Sequence, residues 1–110
     1  MIVEVVGGTD EVPQVKVVDV DDLARLHLAL GEVTDEEADE ALREAGLGRL
    51  QDADTGFVSI DALRAAAEPR SSAPDWAQRW EGMVATAREK GWVGDDGASL
   101  QVHVESAAGG

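Results

Sequence analysis

The sequence predicts an α+β fold with about four short helices and two or three β-hairpins in a single compact domain. Several short segments alternate apolar and polar residues, as half-buried strands do, whereas others space apolar residues three and four apart, as amphipathic helices do. Clusters of Gly, Asp and Pro separate these segments and indicate turns. The chain has 110 residues, a length that suits one domain of roughly 100–200 residues. We therefore expect one domain over residues 1–105 and a disordered tail over residues 106–110.

The first third of the chain is predicted to form a hairpin followed by a helix. Residues 2–6 and 14–17 alternate as strands do, and residues 7–10 between them supply the Gly and Asp of a turn. Helical spacing of apolar positions then predicts a first helix over residues 21–30, ended by Gly31. The positions that carry this spacing are Leu23, Leu26, His27 and Leu30.

The clearest helix start in the chain is at Thr34. Its hydroxyl can cap a helix while Glu37, three residues later, reaches back to the Thr34 amide in a capping box. Gly46 suits the left-handed position that ends many helices. These two signals together predict a second helix between Thr34 and Gly46.

The second half of the chain is predicted to contain another hairpin, two helices and a last strand. Residues 52–56 read as a hairpin turn, with Gly56 expected to supply a positive φ. Asp61 is expected to cap a short third helix, and a longer amphipathic helix is predicted over residues 75–90. Alternation over residues 100–104 predicts the last strand.

The charge balance excludes several classes of function. The chain has 9 basic and 23 acidic residues, a net charge of −14, whereas proteins that bind nucleic acid or anionic membranes need clustered Lys and Arg. No apolar run approaches the roughly 20 residues that span a bilayer. There is no Cys, and the start lacks the basic and long apolar regions of a signal peptide. We therefore expect a cytoplasmic protein that binds neither nucleic acid nor membrane directly.

One pair of predicted helices resembles a known DNA-binding motif. Residues 23–31 and 34–47 resemble a helix-turn-helix, and the predicted hairpin over residues 50–60 lies where a winged-helix protein carries its wing. The would-be recognition helix has Arg43 as its one basic residue. Its acidic residues are Asp35, Glu36, Glu37, Asp39, Glu40 and Glu44. Because this charge repels phosphates, the resemblance implies a degenerate winged-helix-like regulatory domain. The acidic charge alone suggests a DNA mimic, and we retain both as alternative functions.

The sequence shows no recognisable catalytic, cofactor or metal motif. Asp52, Asp54 and Gly56 suggest the start of a calcium loop, but the glutamate required at its twelfth position is missing, so we expect a hairpin turn and leave weak divalent binding open. The two histidines, His27 and His103, show no metal-ligand or nucleophile spacing. We therefore expect no cofactor and no enzyme activity. A small enzyme or ligand-binding protein without a recognisable motif remains a further alternative.

These observations predict a small acidic protein that acts by contact with other proteins. The run over residues 32–44 contains seven acidic residues and one Arg, and such a negative face can steer association with a basic partner. Tryptophan is frequent among residues that dominate binding energy. The candidate partner-binding residues are Glu32, Asp35, Glu36, Asp39, Glu40, Trp76 and Trp80. A homodimer through an open edge strand, at residues 100–104 or 2–6, is also predicted as an option.

Overall fold

One six-stranded sheet with three helices on one of its faces forms the domain, in a computed structural model that describes residues 1–8 and 11–106. The strands are β1 (Ile2–Gly8), β2 (Glu11–Val18), β3 (His27–Gly31), β4 (Gly48–Leu50), β5 (Thr55–Ser59) and β6 (Ser99–Ser106). The helices are α1 (Asp35–Ala45), α2 (Ile60–Ala67) and α3 (Trp76–Lys90). Single 3-10 turns lie at Leu23–Arg25 and Glu68–Arg70.

The sheet is mixed, and its order is β2-β1-β3-β6-β5-β4. β1 pairs antiparallel with β2 and parallel with β3, which in turn pairs parallel with β6. β5 pairs antiparallel with both β6 and β4. The N-terminal hairpin and the C-terminal strands therefore meet at the boundary between β3 and β6, where the paired positions are Leu28 with Val104, Ala29 with Glu105, and Leu30 with Ser106.

The core lies between the helices and one face of the sheet. Alternate strand residues point to opposite faces, so Val3, Leu28 and Val104, which lie side by side in the register, share the core-facing side. The helices contribute an inward stripe of buried side chains to the same cluster. These side chains are Ala38, Ala41, Leu42, Ile60, Leu63, Ala67, Trp76, Trp80 and Ala87. The opposite face of the sheet carries the intervening polar residues, including His27, His103 and Glu105.

Several predictions that rest on local signals are confirmed. The hairpin of β1 and β2 and that of β4 and β5 both form, and α3 ends at Gly91 with φ 76°. α1 has the expected capping box and ends at Gly46 with φ 71°. These features depend on residues close together in sequence, which is why they could be predicted. The tail over residues 107–110 lies outside the described residues, and the backbone of Ser106 is the last position of β6.

The predicted first helix over residues 21–30 is wrong. A single 3-10 turn at Leu23–Arg25 is followed by strand β3. The apolar residues Leu26, Leu28 and Leu30 alternate with His27 and Ala29, so a strand period competes with the helical one over this short run. Pairing on both sides of β3 favours the strand. The described part of the chain therefore has three α-helices and not four. The first helix of the helix-turn-helix resemblance does not form, because β3 lies there.

Three finer expectations are also corrected. α2 is capped by Ser59, whose hydroxyl accepts a hydrogen bond from the Ala62 amide, and not by Asp61, which lies inside the helix. Gly56 lies within β5 and has no positive φ. It is needed because a Cβ there would overlap the Leu28 side chain. Finally, β1 and β6 are interior strands; the edges of the sheet are β2 and β4, so the strands proposed for a homodimer are already paired.

We predict opposite effects for alanine at two glycines. A Cβ at Gly48 would overlap the carbonyl oxygen of Phe57, so Gly48→Ala is expected to lower the free energy of unfolding by about 1–3 kcal/mol. Gly82 lies in the middle of α3, and apart from its chain neighbours and the nearby backbone of the helix itself, no atom lies within 4 Å of the position that a Cβ would take. Gly82→Ala is expected to raise the free energy of unfolding by about 0.5–1 kcal/mol. Urea denaturation of both variants measures these changes, and a stabilised Gly48→Ala protein would contradict the β4–β5 register.

Candidate functional site

The surface of α1 begins with a fully formed capping box. The Glu37 amide donates to Thr34 Oγ1 at 3.1 Å, and the Thr34 amide donates to Glu37 Oε1 at 2.9 Å. Asp35, Glu36 and Glu37 occupy the first turn, where the positive end of the helix dipole stabilises carboxylates. The sequence thus starts the helix with acidic residues for a local physical reason.

Beyond the first turn of α1, additional carboxylates gain little from the positive end of the helix dipole, and they repel those already present. Glu36, Glu40 and Glu44 are exposed and lie four residues apart. Like charges at this spacing repel each other and destabilise a helix by a few tenths of a kcal/mol per pair. No basic side chain in the described part of the chain lies within ion-pair distance of these three glutamates. We call these residues, with Glu37, the acidic surface of α1.

Asp39 has a different role from the other carboxylates of α1. Its Oδ1 accepts a hydrogen bond from the Leu50 amide at 2.9 Å, and its Oδ2 accepts one from Arg43 Nε at 2.8 Å. Burial raises the pKa of Asp39, but the Leu50 hydrogen bond and the Arg43 guanidinium outweigh this effect and hold the pKa below its usual range. Asp39 therefore joins α1 to β4 and offers little to a partner.

A small cleft adjoins the acidic surface of α1. It has a volume of about 220 Å³ and is lined by Pro13 of β2 and by Glu37, Glu40, Ala41 and Glu44 of α1. Three carboxylates thus surround an apolar floor formed by Pro13 and Ala41. This combination suits a side chain with an aliphatic stem and a cationic end.

Glu32 lies outside this cleft, in the link between β3 and α1. It is exposed and adopts a left-handed backbone conformation with φ 55°, which costs a residue with a Cβ roughly 1–2 kcal/mol. Asp35 follows at the start of α1 and is exposed as well. Glu32 and Asp35 are therefore exposed but do not line the cleft, whereas Asp39 has a structural role.

The two predicted tryptophans lie in the core. Trp76 and Trp80 are 2% and 1% exposed, their rings stack at 5.2 Å, and Trp76 Nε1 donates to the Val20 carbonyl at 2.6 Å. They therefore present no surface to a partner in this structure. The exposed tryptophan is Trp92, at 49%, with Lys90 Nζ 4.8 Å from its ring centroid.

Trp92 borders an apolar cavity in the described part of the chain. The cavity has a volume of about 330 Å³ between the 3-10 turn at Leu23–Arg25, α3 and β6. Its lining is mainly apolar and includes Leu26, Met83 and Val102. The polar side chains in the lining are Thr86 and Gln101, neither of which is an acid or a base. An apolar lining with a few polar groups is typical of ligand pockets, but the side chains that line this cavity supply no general acid or base.

On the open face of the sheet, two histidines and a glutamate converge. His27 Nε2 lies 3.1 Å from Glu105 Oε2, and His103 Nε2 lies 3.2 Å from Glu105 Oε1. The two imidazole rings stack with centroids 5.3 Å apart and an interplanar angle of 17°. The His27 side chain is 13% exposed, compared with 61% for His103 and 56% for Glu105. We call these three residues the histidine cluster.

Sequence reasoning missed the histidine cluster. Assigning His27 to a helix placed it away from His103, whereas the parallel register of β3 and β6 makes the two residues neighbours. One local signal was available, because His103 and Glu105 are two apart in a predicted strand and so share a face. His27, the third member, could be found only by knowing that β3 and β6 are adjacent in the sheet.

In the acidic hairpin turn at residues 52–56, the first carboxylate accepts hydrogen bonds from the backbone of the turn. Asp52 Oδ1 accepts hydrogen bonds from the amides of Asp54 and Thr55 at 2.8 and 2.9 Å. The turn lies between two strands, β4 and β5, and not between the two helices of an EF-hand. These contacts fit the hairpin interpretation of the segment.

No protein-family model, curated protein or solved structure matches this chain. Within the described residues, no helix has both the length and the apolar character needed to cross a membrane. The features that bear on function are the acidic surface of α1, its cleft and the histidine cluster.

The lowered pKa of Asp39 predicts acid sensitivity. Because its folded pKa lies below the unfolded value of 3.8, Asp39 contributes stability above pH 3.8 that is lost as the pH falls through the folded pKa. Asp39→Asn should therefore lower stability at neutral pH and flatten the loss of stability in acid. Denaturation midpoints measured across this pH range test it, with Glu36→Gln as the control. Parallel pH curves for Asp39→Asn and the wild type would contradict this role.

Two tryptophan substitutions should differ widely in effect. Trp76→Phe removes the donor to the Val20 carbonyl and leaves a void, so we expect a loss of about 2–4 kcal/mol in the free energy of unfolding. Trp92→Phe at the exposed position should cost less than about 1 kcal/mol. Urea denaturation followed by circular dichroism compares them, and equal losses would contradict the assigned positions.

Proposed function

We propose that this protein is a cytoplasmic, non-catalytic binding protein that docks a basic segment of another protein on the acidic surface of α1. The observation that carries the proposal is the cleft in which Glu37, Glu40 and Glu44 surround Pro13 and Ala41. Repulsion among carboxylates crowded along one helix lowers the stability of the free protein, and a cationic partner would relieve it.

The chemistry of the cleft favours an arginine or lysine side chain. The aliphatic stem would contact Ala41 and Pro13 while the cationic end meets the carboxylates. Its volume of about 220 Å³ is smaller than the roughly 300–1,000 Å³ of pockets for drug-sized ligands. A single side chain of a larger partner is therefore a better occupant than a free small molecule.

The net charge of −14 supports the same proposal at longer range. A strongly negative protein attracts a basic partner before contact and raises the association rate, an effect that falls with ionic strength. A narrower form of the proposal is a DNA mimic, in which the acidic surface of α1 occupies a basic groove that otherwise holds nucleic acid. Both the basic-segment form and the DNA-mimic form of the proposal predict binding that weakens as the salt concentration rises.

The experiment compares two double variants with the same change in charge. Glu40→Gln/Glu44→Gln alters the cleft, whereas Glu81→Gln/Glu89→Gln alters exposed positions of α3, where Glu81 lies 3.7 Å from Arg64. The probe is a labelled peptide of alternating Arg and Gly, with a Gln/Gly peptide as the uncharged control. Fluorescence anisotropy at near-physiological salt, about 0.15 M, measures binding with long-range attraction largely screened.

We expect the cleft variant to weaken peptide binding about 2–30-fold, since each of two exposed ion pairs is worth about 0.2–1 kcal/mol. The α3 variant should weaken it by clearly less, through the change in net charge alone. Equal weakening by the two variants would show that the cleft has no special role, and the proposal would fail.

A further inference from the structure

The histidine cluster brings together ligand atoms from two strands that are far apart in sequence. Leu28 pairs with Val104 in the parallel register of β3 and β6, so His27 and His103 occupy the preceding, adjacent positions. Glu105 lies two residues beyond His103 and faces the same side of the sheet. One ring nitrogen of each histidine and a Glu105 oxygen all lie within 4.8 Å of one another.

A backbone hydrogen bond determines which nitrogen of His27 faces the cluster. His27 Nδ1 lies 2.7 Å from the Arg25 carbonyl oxygen, and since a carbonyl only accepts, Nδ1 carries the hydrogen. A neutral His27 therefore has its lone pair on Nε2, which points at Glu105 Oε2 from 3.1 Å. A proton on Nε2 would make this contact an ion pair with Glu105, and in a neutral His27 a metal cation can take the place of that proton between the two acceptors. Histidine ligands of metals commonly donate their other N–H to a carbonyl in the same way.

We propose that the histidine cluster binds a Zn²⁺ ion through His27 Nε2, His103 Nε2 and the Glu105 carboxylate. Tetrahedral Zn²⁺ with bonds of about 2.0–2.2 Å holds its ligand atoms about 3.3–3.5 Å apart. The nitrogen–oxygen distances of 3.1 and 3.2 Å are close to this spacing, but they run to the two different oxygens of Glu105, and the imidazole rings are nearly parallel. The side chains of His103 and Glu105 therefore have to rotate to bring the three ligand atoms, which lie within 4.8 Å of one another, around one ion. His103 and Glu105 are more than half exposed, which leaves them free to adjust and leaves the fourth position to water.

The donor set also selects the class of metal. Imidazole nitrogens suit Zn²⁺ and neighbouring transition ions, whereas Mg²⁺ and Ca²⁺ prefer oxygen ligands. This difference matters because a protein with a net charge of −14 attracts any divalent cation weakly. Mg²⁺ therefore provides a direct control for attraction by charge alone.

The test uses the full chain without a histidine tag. Isothermal titration calorimetry with ZnCl₂ is run with and without excess Mg²⁺ on the wild type and on His103→Gln, Glu105→Gln and the control Glu89→Gln, an exposed glutamate of α3. We expect one saturable Zn²⁺ site that Mg²⁺ does not displace. His103→Gln and Glu105→Gln should each weaken it at least about 10-fold, and Glu89→Gln should leave it unchanged.

A second measurement includes His27 without altering it. Nitrogen-detected NMR of the imidazole rings should show the Nε2 signals of His27 and His103 shifting together as Zn²⁺ is added. Unchanged affinity in His103→Gln and Glu105→Gln, displacement by Mg²⁺, or a His27 signal that ignores Zn²⁺ would each overturn the proposal.

Discussion

The six strands form one sheet because β3 lies between β1 and β6. β1 and β2 are joined by a hairpin, and β4, β5 and β6 form a second antiparallel group, so within the sheet the two groups are joined through β3. Within the described residues, the pairing of β3 with β6 spans three residue pairs. Side chains complete the join: on the core side Leu28 and Val104 pack under the helices, and on the open side His27 meets His103 and Glu105.

Two kinds of negative charge coexist on α1, and their environments separate them. Asp39 is held by the Leu50 amide and Arg43, so its charge stabilises the fold. Glu40 and Glu44 line a cleft with no cation among the described side chains, so their charge acts against the helix in the free protein. A count of acidic residues treats these carboxylates as equal. Their hydrogen bonds show which of them are left for a partner.

Several structural features that depend on residues close together in the chain were predicted correctly from the sequence. Thr34, Glu37 and Gly46 carry the start and end of α1 within one short segment. β3 could not be predicted in the same way, because its few residues fit a helical or a strand period and the pairing partners lie elsewhere in the chain. The acidic residues of the cleft were visible in sequence, but Pro13 reaches them only through the packing of β2 beside α1. The histidine cluster depends on strand order, which composition and periodicity do not encode.

The short boundary between β3 and β6 also bears on how the chain folds. β1 and β2, or β4 and β5, can pair after closing a small loop, whereas pairing Leu30 with Ser106 encloses all three helices and two strands. The entropy of closing so long a loop has to be overcome before the few contacts at the boundary repay it. Such contacts tend to form late on the folding pathway. A cation bound by His27 on β3 and His103 on β6 would hold the two parts of the sheet together once they have paired. It would therefore lower the rate at which they separate more than it raises the rate at which they associate.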